Sequence, residues 1–373
     1  MARGRAGVAL GLALLVAACG DDGATTTAES TSPDEPTTSA SSDPSSPLGT
    51  VSVEQLSFDA FADLPPPPLD VATANRPPLT EWDGSAVLIG PAGGLVRLGP
   101  DEGVEVTPTE GIDVGEGSDR VRAVDLLDSD GETLLAIGHE EDLVADVAPA
   151  VRPFAWRSTD GDTWEAVELS GLTYGSDEVT VTALLGLSEG RFLAGGHVDD
   201  GDQTLLKLWR TDDAGGSWEE IDADGLDHPD TDEEDERIVG LARGLDMVLA
   251  TREETGLDDS RLTLLRLQDS DAWEELEPTG LDALDLPNSD VIPTVATVAG
   301  QFVMFASTPI DDEFGERTPT LFTSDDGESW TATELVGPTL PDPFFVQAIT
   351  RTDRGAIAVA EGADGLNIWR FIE

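Results

Sequence analysis

The sequence predicts an all-β fold: a six-bladed β-propeller of four-stranded blades, closed by an N-terminal strand. Three observations predict it. From residue 50 onward, apolar runs of strand length alternate with turns rich in Gly, Asp and Pro. A hydroxyl–Asp–Gly–Trp pattern recurs, and Trp164, Trp218, Trp273 and Trp330 follow one another at 54, 55 and 57 residues. A repeat that long holds four short strands and suits a propeller blade better than a solenoid turn. Finally, the last repeat stops one strand short, while a strand-like run without a partner precedes the first.

The chain begins with an export signal. Arg3 and Arg5 give a positive flank, and Val8 to Val16 form an apolar core too short to span a bilayer as a mature helix. Val16-Ala17-Ala18-Cys19 resembles a bacterial lipobox, which implies cleavage after residue 18 and lipid attachment at Cys19. Cys19 is the single cysteine, so no intrachain disulfide is possible. The expected address is extracytoplasmic, with the membrane contacted through that lipid alone. Residues 19–49 are Ser, Thr, Asp and Pro with almost nothing to bury, a composition that predicts a disordered tether.

Residues 50–373 form the predicted propeller domain. Its first blade is read as Leu79–Trp82, Ala86–Gly90, Leu95–Leu98 and Val104–Val106, with Asp101 and Gly103 as a faded turn motif. Val121–Leu127, Thr133–Gly138, Pro153–Arg157 and Trp164–Leu169 follow. The third blade is Val179–Leu187, Arg191–His197, Leu205–Arg210 and Trp218–Asp222. The fourth is Arg237–Ala242, Met247–Thr251, Arg261–Leu267 and Trp273–Leu276, and the fifth runs from Val291–Ala299 to Trp330–Leu335. The last has only Phe345–Arg351, Ala356–Glu361 and Leu366–Phe371. Val51–Phe58 would supply its missing outer strand, and closure of that kind removes exposed sheet edges.

The recurring motif has a physical sense as a hairpin corner. Its copies are read as Ser158, Asp160, Gly161 and Trp164; Thr211, Asp213, Gly215 and Trp218; and Thr323, Asp325, Gly327 and Trp330, with a worn copy at Gln268–Trp273. The hydroxyl and carboxylate accept bonds from turn N–H groups, Gly supplies positive φ, and Trp opens the returning strand with a large apolar face. The motif resembles the Asp-box, or BNR repeat, of sialidase-like β-propellers. Two oxygen side chains per turn are too few for calcium, so the boxes are read as structural.

A net charge of −56, from 20 basic and 76 acidic residues, excludes nucleic acid and bare anionic membrane as partners. Lys207 is the single lysine, and the histidines are His139, His197 and His228. The resemblance places the box turns on one face and the acid-rich loops, including 230–236, on the other. Asp119, Asp177, Asp235 and Asp290 precede or open the inner strands. Arranged in a ring, they would form a candidate Ca²⁺ site at the channel mouth. Solvated turn-forming carboxylates explain the same pattern, with Arg120 and Arg237 as internal counter-charges.

No catalytic residue is assigned. The sialidase resemblance implies three arginines, a Tyr–Glu nucleophile pair and an Asp. Here Arg76-Pro77-Pro78 only approximates the family's Arg-x-Pro motif. The single tyrosine, Tyr174, lies between the second and third blades rather than near the last ones. Zinc-helix, nucleophile-elbow and phosphate-loop motifs are lacking. His139 and His197 each follow Gly at the end of a second strand, a match that duplication explains. The reading is a monomeric, surface-displayed, non-catalytic binding or scaffold module for an unknown protein or glycan ligand. The alternatives are a glycan-active hydrolase with a non-standard site and an envelope assembly factor.

Overall fold

A computed structural model gives the architecture and describes residues 51–56, 78–90, 94–99, 104–112, 115–116, 120–142, 151–172, 179–199, 204–221, 235–244, 247–255, 260–268, 272–281, 294–298, 300–309, 317–333, 335–336, 345–353, 355–362 and 365–372. The expected export signal, Cys19 and the expected tether lie outside these residues.

Strand β1 (Val51–Leu56) comes first. Blade 1 is β2 (Leu79–Trp82), β3 (Ser85–Ile89), β4 (Leu95–Leu98) and β5 (Val104–Thr107). A two-residue β6 (Gly115–Glu116) leads into blade 2, made of β7 (Arg120–Ser129), β8 (Leu134–Asp142), β9 (Val151–Ser158) and β10 (Glu165–Val167). Blade 3 is β11 (Val179–Ser188), β12 (Arg191–Asp199), β13 (Thr204–Thr211) and β14 (Glu219–Ile221). Blade 4 is β15 (Asp235–Arg243), β16 (Val248–Thr255), β17 (Ser260–Leu267) and β18 (Trp273–Glu275). Blade 5 is β19 (Thr294–Val298), β20 (Gln301–Pro309), β21 (Arg317–Ser324) and β22 (Thr331–Thr333), followed by β23 (Leu335–Val336). Blade 6 holds β24 (Phe345–Thr352), β25 (Gly355–Gly362) and β26 (Gly365–Ile372).

Each blade is an antiparallel meander whose strands pair in chain order. β1 completes blade 6: it runs antiparallel to β26, from Ser52 opposite Ile372 to Leu56 opposite Ile368. The ring is thus closed by pairing the two ends of the propeller sequence. A latch that the sequence reading did not anticipate lies outside it, where β23 pairs in parallel with β1, Val51 opposite Leu335 and Ser52 opposite Val336.

Hydrophobic burial is organised by seams between blades rather than by one central core. Trp82 and Val87 of blade 1 meet Trp156 and Trp164 of blade 2. Ala86, Leu88 and Val96 face the other way, onto Ile357, Val359 and Ile368 of blade 6. The alternation follows from the two-residue period of a strand, which sends successive side chains to opposite faces. Four further clusters fill the remaining seams in the same manner.

The third strands repeat a Trp-Arg dipeptide: Trp156-Arg157, Trp209-Arg210 and Trp369-Arg370. Each of these Trp residues is 1 % exposed. The adjacent Arg lies opposite an outer-strand Glu, at Arg157–Glu165, Arg210–Glu219 and Arg370–Glu54, and the same pairing recurs at Arg97–Glu105 and Arg266–Glu274. Glu54 on β1 therefore occupies the outer-strand position of other blades. Pairs of this sort at the surface contribute only about 0–1 kcal/mol each, so the aromatic burial dominates.

Candidate functional site

In an antiparallel meander, the first-to-second and third-to-fourth turns share one face, and the second-to-third turns and blade connections share the other. Three third-to-fourth turns carry the sequence motif. In blade 2, Ser158 Oγ accepts from Gly161 N–H at 2.8 Å, and Asp160 Oδ1 accepts from Asp162 and Thr163 N–H at 2.9 and 2.8 Å. Those backbone bonds, Thr163 first, hold the Asp160 carboxyl below its ordinary range. The Trp164 indole donates back to Gly161 O at 3.0 Å. Blade 3 has one more residue in the turn, Ala214 (φ 54°), so Thr211 accepts from Gly215 N–H at 3.1 Å. There the Trp218 Nε1–H has no acceptor among the described residues. Burial pushes Asp213 upward, but hydrogen bonds from Thr211 and Ser217 outweigh it and leave the carboxyl below its usual value.

In blade 5 the register read from sequence is corrected by one residue. Ser324, not Thr323, supplies the hydroxyl, which accepts from Gly327 N–H at 2.9 Å. Asp326, not Asp325, accepts from Glu328 and Ser329 N–H at 2.9 and 2.7 Å. Burial pushes Asp326 up, while the Ser329 and Glu328 bonds bring it below the ordinary carboxylate range. The side chain of Thr323 instead meets Thr333, and Asp325 accepts from Gln301 at 2.6 Å. The cause is turn length, since blade 5 uses the shorter turn of blade 2 whereas Thr323 and Asp325 fit the longer spacing of blade 3.

The box tryptophans also sew neighbouring blades together. Trp164, Trp218 and Trp330 N–H donate to Glu110, Ser170 and Thr279 O of the preceding blade, at 2.7, 2.9 and 2.9 Å. Because these N–H groups point across a seam, the outer strand starts after the Trp, at Glu165, Glu219 and Thr331. The residue after each acceptor is a glycine, Gly111, Gly171 or Gly280, with φ of 92°, 96° and 83°. A Cβ there would stand 2.0–2.1 Å from a Trp carbonyl oxygen, so these positions admit only glycine. The repeated signature Glu110-Gly111-Ile112, Ser170-Gly171-Leu172 and Thr279-Gly280-Leu281 is the signal that would have revealed this seam.

The six inner strands line a cavity of about 410 Å³ along the ring axis. Bulges in β7, β11, β15 and β24 fall at Asp125, Thr182, Val239 and Gln347, and all four residues line the cavity. A bulge re-aims a side chain, here toward the channel. Asp125 Oδ2 lies 2.6 Å from His139 Nδ1, with both side chains largely shielded. Thr182 Oγ1 donates to Ile238 O in blade 4.

Asp128, farther along β7, joins three blades. It accepts from Thr80 Oγ1 of blade 1 at 2.5 Å, from Ser129 N–H at 2.8 Å, and from Gly186 N–H of blade 3 at 2.7 Å. Burial pushes its pKa up to about 6, against those hydrogen bonds and with help from Glu81.

Of the four proposed cation ligands, Asp119, Asp177 and Asp290 lie outside the described residues, as do Tyr174, Arg76 and His228. Asp235 opens β15. Among the described residues no group of three or more His, Cys, Asp or Glu is placed to hold a metal ion. His139 and His197 occupy the second strands of adjacent blades, His139 opposite Ala123 and His197 opposite Thr180.

Fold and channel together define a six-bladed β-propeller. No protein-family model and no curated protein matches the sequence. Among solved structures, the chain is similar to a protein of unknown function from Dyadobacter fermentans. The two are 14 % identical with a TM-score of 0.54, over 81 % of this chain and 95 % of that one. An α-L-arabinanase from Penicillium chrysogenum is 13 % identical, over 83 % and 96 %, with a TM-score of 0.48.

Proposed function

We propose that the protein is a lipid-anchored propeller of the Asp-box, sialidase-like kind that binds a ligand at the face opposite the boxes and performs no chemistry. One observation carries the absence of chemistry. The two described aspartates on the channel wall are already committed: Asp128 to donors on three blades and Asp125 to His139. A carboxylate that holds blades together is poorly placed to exchange protons with a substrate at each turnover. Lipid attachment at Cys19 would display this face on the outer side of a membrane, with residues 20–49 as spacer.

Two measurements test the reading. Cys19→Ala should move the protein from the detergent phase to the aqueous phase on phase partitioning, and unchanged partitioning removes the anchor. Fluorogenic glycosides should release no sugar, with or without divalent ions. A second reading, a glycan-active hydrolase, draws on the Asp125–His139 contact, because a carboxylate-oriented imidazole is a recurrent acid–base unit. Sugar release that disappears in His139→Ala would replace the first reading with the second.

A further inference from the structure

Bases are scarce in this chain, and most arginines among the described residues are engaged. Arg97, Arg157, Arg210, Arg252, Arg266 and Arg370 each lie within ion-pair distance of a carboxylate. Two that line the channel do not. The Arg243 guanidinium donates to the backbone oxygen of Leu187, and the Arg351 side chain makes neither a hydrogen bond nor an ion pair among the described residues. Arg243 and Arg351 are exposed at the rim of the cavity and lack a carboxylate partner among the described residues, in a chain of 20 bases and 76 acids. Both residues are at the ends of inner strands, β15 and β24, which places them at the box-side mouth. Glu81 and Asp128 line the same half from blades 1 and 2. Glu81 Oε1 accepts from Gly84 N–H at 3.0 Å, its one side-chain hydrogen bond among the described residues.

The mouth therefore carries guanidinium groups on blades 4 and 6 and carboxylates on blades 1 and 2. A bare anion would meet the guanidinium groups only after crossing the field of a chain at −56. A molecule without net charge crosses it at no such cost, and one bearing both signs can use both walls. We propose that the box-side half of the channel binds a small zwitterion, its oxyanion on Arg243 and Arg351 and its ammonium group toward Glu81. A planar guanidinium matches a carboxylate by paired N–H donors, and the cavity volume is that of a small-molecule site. This site is at the opposite mouth from the one in the proposed function, so either can fail without the other.

The test uses the intact protein and thermal melting at fixed ionic strength. The probes are ω-amino acids from glycine to 6-aminohexanoate, with butyrate and butylammonium as single-ended controls. At least one amino acid should raise Tm saturably, beyond either control, because binding to the folded state alone must do so. Arg351→Gln removes a side chain with no hydrogen bond or ion pair among the described residues, and Glu81→Gln keeps the acceptor for Gly84. Each should weaken the apparent affinity by about tenfold, the loss expected for one charge-assisted contact. The proposal is overturned if no member of the series shifts Tm, if butyrate matches the best amino acid, or if both variants bind as the parent does.

Discussion

Asp128 accepts hydrogen bonds from three blades, yet burial leaves its proton bound up to about pH 6. A folded pKa above the unfolded value, near 4, means the ionised form is the costlier one. The stabilising contribution of this group is full below about pH 4 and is lost as pH rises through 6. The box aspartates behave oppositely: Asp160, Asp213 and Asp326 are held low, so their contribution is present above about pH 4 and lost on acidification. Asp128→Asn should therefore change the slope of stability against pH between 4 and 7, by on the order of 3 kcal/mol across the window. Denaturant melts at four pH values measure it, and parallel curves for parent and variant would refute it. Glycine gives a second residue-scale test. Gly171→Ala places a Cβ 2.1 Å from the Trp218 carbonyl oxygen, whereas Gly131, with a similar φ of 98°, has nothing within 4 Å. Gly131→Ala should cost about 1 kcal/mol of backbone strain and Gly171→Ala at least twice that. Equal losses would mean that the seam yields.

At the scale of one element, the box turn is a unit of hydroxyl, carboxylate and glycine whose length varies by one residue. That variation explains why one pattern read along the sequence selected Thr323 and Asp325 in blade 5. Ser324→Ala removes the acceptor for Asp326 and Gly327 N–H and should cost about 1–2 kcal/mol, in the range of a lost cap. Thr323→Val keeps the shape, gives up one long contact to Thr333 and should stay within about 0.5 kcal/mol. Urea midpoints decide between the registers, and the reverse order would restore the one read from sequence. The outer strands show the same division. Their presence follows from local pattern, but their first residue depends on which way the Trp N–H points, and that is fixed by the preceding blade.

At the scale of the whole molecule, stability is held in six seams, and the seam between blades 6 and 1 forms only when the chain closes on itself. β1 pairs with β26, its Glu54 lies 3.9 Å from Arg370, and β23 covers its first residues from outside. Removing residues 1–47 should leave melting and solubility unchanged. Removing residues 1–58 should expose the edge of β26, lower Tm and promote aggregation. A peptide of residues 51–56 added in trans should restore part of the loss, because strand addition supplies the missing ladder. Identical melting and solubility of the two truncations would show that β1 is dispensable.

The sequence by itself determined the class of fold, the number of blades and the closing strand. Each blade is a meander of chain neighbours, so its strands are written as local alternation, and the Trp spacing of blades 2 to 5 gives the repeat length without any knowledge of contacts. Closure was legible because a count of strands has to balance: three in the last repeat and one spare before the first. Even the partner of β1 had a mark in the sequence, since Glu54 repeats the role of Glu165 and Glu219 opposite a third-strand Arg. The tertiary structure alone decided the box register of blade 5, the contact of the seam glycines with the Trp carbonyls, the three-blade contact of Asp128 and the channel arginines without a described carboxylate partner. The register depends on which of two turn lengths the chain adopts locally. The other three depend on groups from adjacent or opposite blades, tens of residues or more apart in the chain, and on which strand face brings them together. A pattern read along one strand carries no term for that meeting.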